Sequence, residues 1–185
     1  MNLANKISIG RILLIPFFIA SILYYTPEND YIRYIALAIF TVGVFSDALD
    51  GYIARMRRQK TRLGIFLDPL ADKLLLVSAM ICLSAVSNVP EAYRLPVWLP
   101  ILVISRDIVI VLGVVILFMI MGDVEVRPSK LGKITTFLQM LTVIVSLLRA
   151  PYMYVVWSVT AFFTVASGIG YLIRGSRILN ASNHA

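Results

Sequence analysis

Five carboxylates stand in a chain that offers them little water. Of ten acidic residues, Asp47, Asp50, Asp68, Asp72 and Asp107 fall in or at the edge of long apolar runs. A charge in such a run costs several kcal/mol, so an acid kept there points to a function. Four of the five are grouped. Asp47 and Asp50 are three residues apart and share one helix face, as do Asp68 and Asp72, four apart. Four carboxylates brought together repel one another unless cations neutralise them. Hard divalent ions with oxygen ligands suit such a set, and Mg2+ or Mn2+ also accepts phosphate oxygens. Two ions balance four negative charges and can straddle a diphosphate.

The residues between the two pairs extend this chemistry. Gly51 and Ala54 lie on the face of Asp47 and Asp50 and leave room for a ligand at the helix backbone. Arg55 follows, permanently charged and shaped to hold phosphate bidentately. Gly64 reads as a flexible loop position before the second pair. From Asp47 to Asp72 the pattern is D-x2-D-G-x2-A-R-x8-G-x3-D-x3-D. The single histidine, His184, is next to last, and the single cysteine, Cys82, lies in an apolar run. Proton transfer therefore falls to a carboxylate, Lys or Tyr, and disulfide or thiolate-metal chemistry is excluded.

These groups need a scaffold, and composition says which. The chain has 185 residues, 59% hydrophobic and 15% charged, with a mean hydropathy of +0.87. That leaves too few charges to cover a soluble domain and points to a membrane protein. Crossing a bilayer takes about 20 apolar residues, and six such spans are expected at 7–25, 31–53, 66–87, 97–121, 133–149 and 152–173. The breaks fall at Pro27-Glu28-Asn29-Asp30, Asn88-Val89-Pro90-Glu91, Gly122-Asp123 with Pro128, and Ala150-Pro151. The fold class is thus all-α: one integral membrane bundle of six helices over residues 1–185, without a separate soluble domain. A short connection makes the second and third spans antiparallel neighbours, so the two aspartate pairs face each other. Pro69 suits the first turn of the third helix with Asp68 near its cap, or else kinks a helix that starts earlier.

Basic residues set the orientation. Arg55, Arg57, Arg58, Lys60 and Arg62 crowd the second connection, and Arg127, Lys130 and Lys133 the fourth. Lys6 precedes the first span, and Arg174 and Arg177 follow the last, against Arg33, Arg94 and Arg149 on the other side. Both termini are expected in the cytosol, with most of the net charge of +7 facing anionic headgroups. Lys6 and Arg11 ahead of an apolar stretch imitate a signal peptide, but no small-residue cleavage site follows.

The 47–72 pattern resembles the signature of the CDP-alcohol phosphatidyltransferases at every motif position, and the resemblance extends over essentially the whole chain. It implies that Asp47, Asp50 and Asp68 bind metal, and that Asp72 binds metal and acts as the base. It further implies that Gly51, Ala54, Arg55 and Thr61 contact the CDP moiety. Asn5 and Ser8 match a polar position that in the family helps cover the nucleotide, and equally suit a helix cap. The activity so implied is transfer of a phosphatidyl group from CDP-diacylglycerol to an alcohol, with release of CMP. The implied partners are CDP-diacylglycerol, the alcohol, membrane lipids and a second copy in a homodimer, with no nucleic acid. The implied location is a bacterial inner membrane, with the site open to the cytosol.

The alcohol depends on other residues. Arg106 is either half of a buried pair with Asp107 or, with Lys130 and Lys133, a holder of acceptor phosphate. Ser105-Arg106-Asp107 and Ser129–Thr136 resemble two glycerol-lipid branches of the family. One uses glycerol 3-phosphate; the other is CMP-forming and uses phosphatidylglycerol to make cardiolipin. Gly132-Lys133 and Gln139-Met140 look like the first, and Ser105-Arg106-Asp107 with the stretch Thr160–Tyr171 like the second. The first usually carries an Arg where Val114 stands and a Lys where Thr135 stands. Its frequency among small bacterial members makes glycerol 3-phosphate the leading acceptor, with phosphatidylglycerol the alternative. A transporter or channel also holds intramembrane acids, but an ion path has no need of Gly51-x2-Ala54-Arg55.

Overall fold

A computed structural model describes residues 3–57, 62–121 and 129–182. They form six α-helices and two short 3-10 turns: α1 (Leu3–Leu23), a turn at Pro27–Asn29, α2 (Tyr31–Arg57), α3 (Arg62–Ala85), a turn at Glu91–Tyr93, α4 (Trp98–Met121), α5 (Lys130–Leu148) and α6 (Met153–Ser182). Among the described residues there is no strand. Three stretches, Glu91–Leu117, Lys130–Leu148 and Met153–Arg177, are long and apolar enough to cross a membrane, and Ser8–Leu23 and Tyr31–Ser46 are shorter apolar helices. Large side chains such as Phe17, Val42, Ile101, Val111 and Phe162 stand exposed on these helices, a surface suited to lipid and not to water.

All six expected spans are helices, and five run further at one end than apolar length alone predicts, α1 by starting at Leu3. α2 continues to Arg57 and α6 to Ser182, while α3 begins at Arg62 and α5 at Lys130. Hydropathy marks what lipid can cover, whereas a helix continues for as long as its backbone bonds are made. The early start of α3 corrects the reading of Gly64 and, of the two readings of Pro69, agrees with the earlier helix start. Gly64 is helical, not a loop position, and Pro69 lies inside α3, so Asp68 is not near the cap. A proline there gives no N–H to the carbonyl four residues back, which weakens the helix locally.

The helices belong to two compact units. The first comprises residues 1–97 and 143–153, the second residues 98–142 and 154–185. In the first, α1 packs against both α2 and α3 around buried Phe18, Ala36, Phe40, Ala71, Leu75, Ala79 and Met80, with Phe18 and Phe40 rings 6.0 Å apart. One end of this unit is tied by polar groups. Asp30 accepts from Arg33 Nε at 3.1 Å and Nη2 at 2.7 Å, and Arg149 Nη2 lies 3.0 Å from it. Arg33 Nη1 also donates to the carbonyl of Leu147, one of the carbonyls that a helix C-terminus leaves without an intrahelical partner. Beyond it, α5 ends in a Schellman arrangement, Ala150 N–H to Val145 O and Arg149 N–H to Ser146 O, with Arg149 left-handed at φ 53°. Glycine is the usual residue there. The arginine stacks instead near the rings of Tyr25 and Tyr93, 5.5 and 5.0 Å from their centroids.

The interior of the second unit is polar by membrane standards. Thr135, Gln139 and Thr142 of α5 and Thr160, Thr164 and Ser167 of α6 are all buried. The Thr142 and Thr160 hydroxyls lie 2.8 Å apart, and the Thr135 hydroxyl donates to the Phe163 carbonyl at 3.1 Å. Small hydroxyl residues let membrane helices approach closely and link them by hydrogen bonds where hydrophobic burial gives little preference.

Candidate functional site

The register of α2 against α3 sets the levels of the aspartate positions. Gly43 of α2 lies so close to Leu75 of α3 that a Cβ at 43 would overlap the Leu75 Cδ2. From Gly43 to the end of α2 is 14 residues, and from the start of α3 to Leu75 is 13. At a rise of about 1.5 Å per residue these lengths are almost equal, so α3 runs back along α2. Measured from that contact toward the connection, position 47 is four residues along α2 and position 72 three residues along α3. Positions 50 and 68 are each seven residues along. The backbone thus sets 47 level with 72, and 50 level with 68, at separations from Gly43 and Leu75 that recur on one helix face.

For Asp47, Asp50, Gly51, Ala54, Arg55 and Asp68 the side-chain surroundings lie outside the described residues, and Thr61 lies outside them altogether. Asp72 is half-buried, directly after fully buried Ala71. Among the described residues no cluster of His, Cys, Asp or Glu forms a metal site. The donor set is nonetheless the right kind for a hard divalent cation, being carboxylates only, in two pairs at helical spacing, on helices held at matching levels. Arg11, in sequence a flanking charge of the first span, is 1% exposed, and its Cγ lies 3.8 Å from where a Gly43 Cβ would stand. Arg11 is thus buried beside the contact between α2 and α3. Only tertiary contact reveals it.

The second unit holds a separate polar cluster around Arg106. Its Nη1 donates to Asp107 Oδ1 at 2.7 Å and its Nη2 to Ser167 Oγ at 2.6 Å. The guanidinium carbon is 5.7 Å from the Tyr171 ring centroid. Arg106 is 9% exposed, and its Nε has no hydrogen-bond partner among the described residues. Both sequence readings of Arg106 therefore keep a foothold: it is paired, and it retains donors. Ser129 caps α5, its Oγ accepting from Gly132 N–H at 2.9 Å, while its own N–H donates to the Tyr171 hydroxyl at 3.3 Å.

Lys130 and Lys133 are exposed in the first turn of α5. Cations at a helix N-terminus oppose its dipole, and a bound anion relieves them. Thr135, where a Lys is common in one branch, is 0% exposed and bonded to the carbonyls of Leu131 and Phe163. It is a packing link between α5 and α6. The roles of Ser167 and Tyr171 escape sequence reading because their partners lie 61 and 42 residues away.

A family model described as CDP-alcohol phosphatidyltransferase matches residues 1–166. The chain is 35% identical over 201 residues to the CDP-diacylglycerol–glycerol-3-phosphate 3-phosphatidyltransferase of Bacillus subtilis, an alignment covering 98% of this chain and 99% of that one. Proteins of the same name are similar in Rickettsia felis, at 32% identity over 92% of this chain and 93% of the relative, and in Aquifex aeolicus, at 35% over 74% and 70%.

Proposed function

Because the chain belongs to the CDP-alcohol phosphatidyltransferase family, we propose that it transfers a phosphatidyl group from CDP-diacylglycerol to glycerol 3-phosphate, forming phosphatidylglycerophosphate and CMP. The relatives named for that reaction cover almost the whole chain, which favours this acceptor over phosphatidylglycerol. The observation that supports the reading is the contact of Gly43 with Leu75, from which the aspartate positions count out at matching distances along α2 and α3.

In this reading Asp47, Asp50, Asp68 and Asp72 would hold two Mg2+ or Mn2+ ions, which when bound neutralise the diphosphate and ease departure of CMP. Gly51 and Ala54 leave space beside α2 for the nucleotide, Arg55 takes a diphosphate oxygen, and Thr61 contacts the same moiety. The Asp72 carboxylate takes the proton of the acceptor hydroxyl. The oxygen so freed attacks the phosphorus bearing diacylglycerol, and the bond from that phosphorus to the CMP oxygen breaks. Arg106, Lys130 and Lys133 hold the acceptor phosphate. Arg106 does so while paired with Asp107, since among the described residues its Nε has no partner and two of the five N–H donors of a guanidinium are engaged.

Residues 1–185 act as one domain in this reading, supported by a family match over residues 1–166 that takes in parts of both units. The concentration of basic residues in the second and fourth connections supports a cytosolic site and cytosolic termini in a bacterial inner membrane. A homodimer is the expected assembly. The test is CMP release from CDP-diacylglycerol by the purified protein. Release that needs glycerol 3-phosphate and stops on chelation supports the reading, and none with any alcohol overturns it.

A further inference from the structure

The acceptor end depends more heavily on Arg106 here than its neighbours suggest. Val114 and Thr135 are uncharged, and Thr135 is locked between two carbonyls. Whatever fixes Arg106 therefore bears on how the acceptor is held beside Lys130 and Lys133. Ser167 and Tyr171 stand one turn apart on α6 and both reach the cluster. Ser167, 1% exposed, accepts from Arg106 Nη2. Tyr171 lays its ring toward the guanidinium and accepts with its hydroxyl from the N–H of Ser129, the cap of α5. Gly168 between them brings its backbone against the Arg106 stem, with Cγ 3.6 Å from where a Cβ would stand.

Gly132 closes the arrangement. A Cβ there would meet Ser129 Oγ at 3.2 Å, Arg106 Nη2 at 3.3 Å and the Tyr171 hydroxyl at 3.4 Å. Three polar atoms from three helices or their caps thus converge on a position without a side chain. Beside them the buried Arg106 Nε has no partner among the described residues, a state that costs free energy unless a ligand fills it.

We propose that Ser167 and Tyr171 are positioning residues that hold the Arg106 guanidinium against the first turn of α5, where it and the turn together take the phosphate of the acceptor alcohol. Neither residue touches the reacting atoms. The proposal rests on the acceptor-phosphate role given to Arg106 above. Both residues lie just past the stretch matched by the family model, which ends at 166.

The experiment is steady-state kinetics of the full-length protein carrying Ser167→Ala, Tyr171→Leu, Tyr171→Phe or Gly132→Ala, with KM measured separately for the alcohol and for CDP-diacylglycerol. Ser167→Ala and Tyr171→Leu are expected to raise KM for the alcohol about tenfold, the scale of one lost charge-assisted hydrogen bond for the first and of a lost cation–π contact with its neighbouring hydrogen bond for the second. KM for CDP-diacylglycerol stays within about twofold, because loss of one contact to Arg106 leaves donor binding unchanged. Tyr171→Phe, which keeps the ring, recovers part of the loss, and Gly132→Ala raises the same KM by crowding the site. An unchanged KM for the alcohol, or equal rises for both substrates, overturns the proposal. The wild-type product is a separate readout. If only phosphatidylglycerol is consumed, the glycerol 3-phosphate reading falls, and the variants' KM for phosphatidylglycerol still decides the positioning role.

Discussion

Gly43 of α2 and Leu75 of α3 lie so close that a single added carbon at 43 would overlap the leucine side chain. That contact sets the register of the two helices that carry the four motif aspartates, and it depends on residue 43 having no Cβ. Leu75 is 1% exposed and has little room to retreat. Gly43→Ile is therefore expected to destabilise the protein by about 1–3 kcal/mol, the usual cost of overpacking, and to lower activity along with it. Thermal unfolding in detergent beside CMP release checks this; full stability with full activity would show that the register tolerates a side chain.

Asp72→Asn keeps the shape of the side chain and removes its ability to take a proton. Turnover should fall at least about a hundredfold, the contribution expected of a placed base, while CDP-diacylglycerol binding largely survives. Near-normal turnover would remove Asp72 from the base role. Asp47→Asn, Asp50→Asn and Asp68→Asn should instead raise the metal concentration needed for half-maximal rate.

Asp30 gives a pH signature at the opposite end of the first unit. The Arg33 guanidinium bonded to it holds its carboxyl below the ordinary carboxylate value, with Arg149 and Tyr25 acting the same way and desolvation opposing them. A carboxyl depressed in the folded state stabilises the protein above its unfolded value of about 3.9, and that contribution disappears as pH falls through the lower folded value. The stability gap between wild type and Asp30→Asn should be constant from neutral pH to about 4, then shrink below it. Unfolding curves across that range test the point, and a gap that does not narrow in acid contradicts it.

Gln139 is 0% exposed, and neither polar atom of its amide has a partner among the described residues. Gln139→Met keeps the length and drops the unsatisfied amide, so stability should rise by about 1 kcal/mol. Thermal unfolding of the two proteins decides it; a loss of stability would mean that the amide is satisfied by a bound group.

The helices were legible because their apolar runs are written residue by residue, and three of the stretches are long and apolar enough to cross a membrane. Their ends were less so: α3 starts at Arg62 and takes in both Gly64 and Pro69, because backbone bonding outlasts the apolar run. The spacing of the aspartate positions at 47–72 was readable directly, and they fall on two consecutive helices, α2 and α3. The surroundings of Arg106 were not. Its partner Ser167 lies 61 residues along the chain, and Thr135, readable only as a missing cation, proves to be a bond between α5 and α6. The burial of Arg11 was hidden for the same reason, because a basic residue before an apolar run looks alike whether it flanks a membrane or fills a core.

The identity of the lipid formed is the most direct test. Purified protein in detergent or vesicles receives CDP-diacylglycerol and Mg2+ or Mn2+, with glycerol 3-phosphate and phosphatidylglycerol offered in parallel, and the products are separated. The expected result is phosphatidylglycerophosphate in step with CMP, abolished by chelation and by Asp72→Asn. Cardiolipin as the sole product would contradict the acceptor, and CMP formed equally well without divalent metal would contradict the role given to the four aspartates.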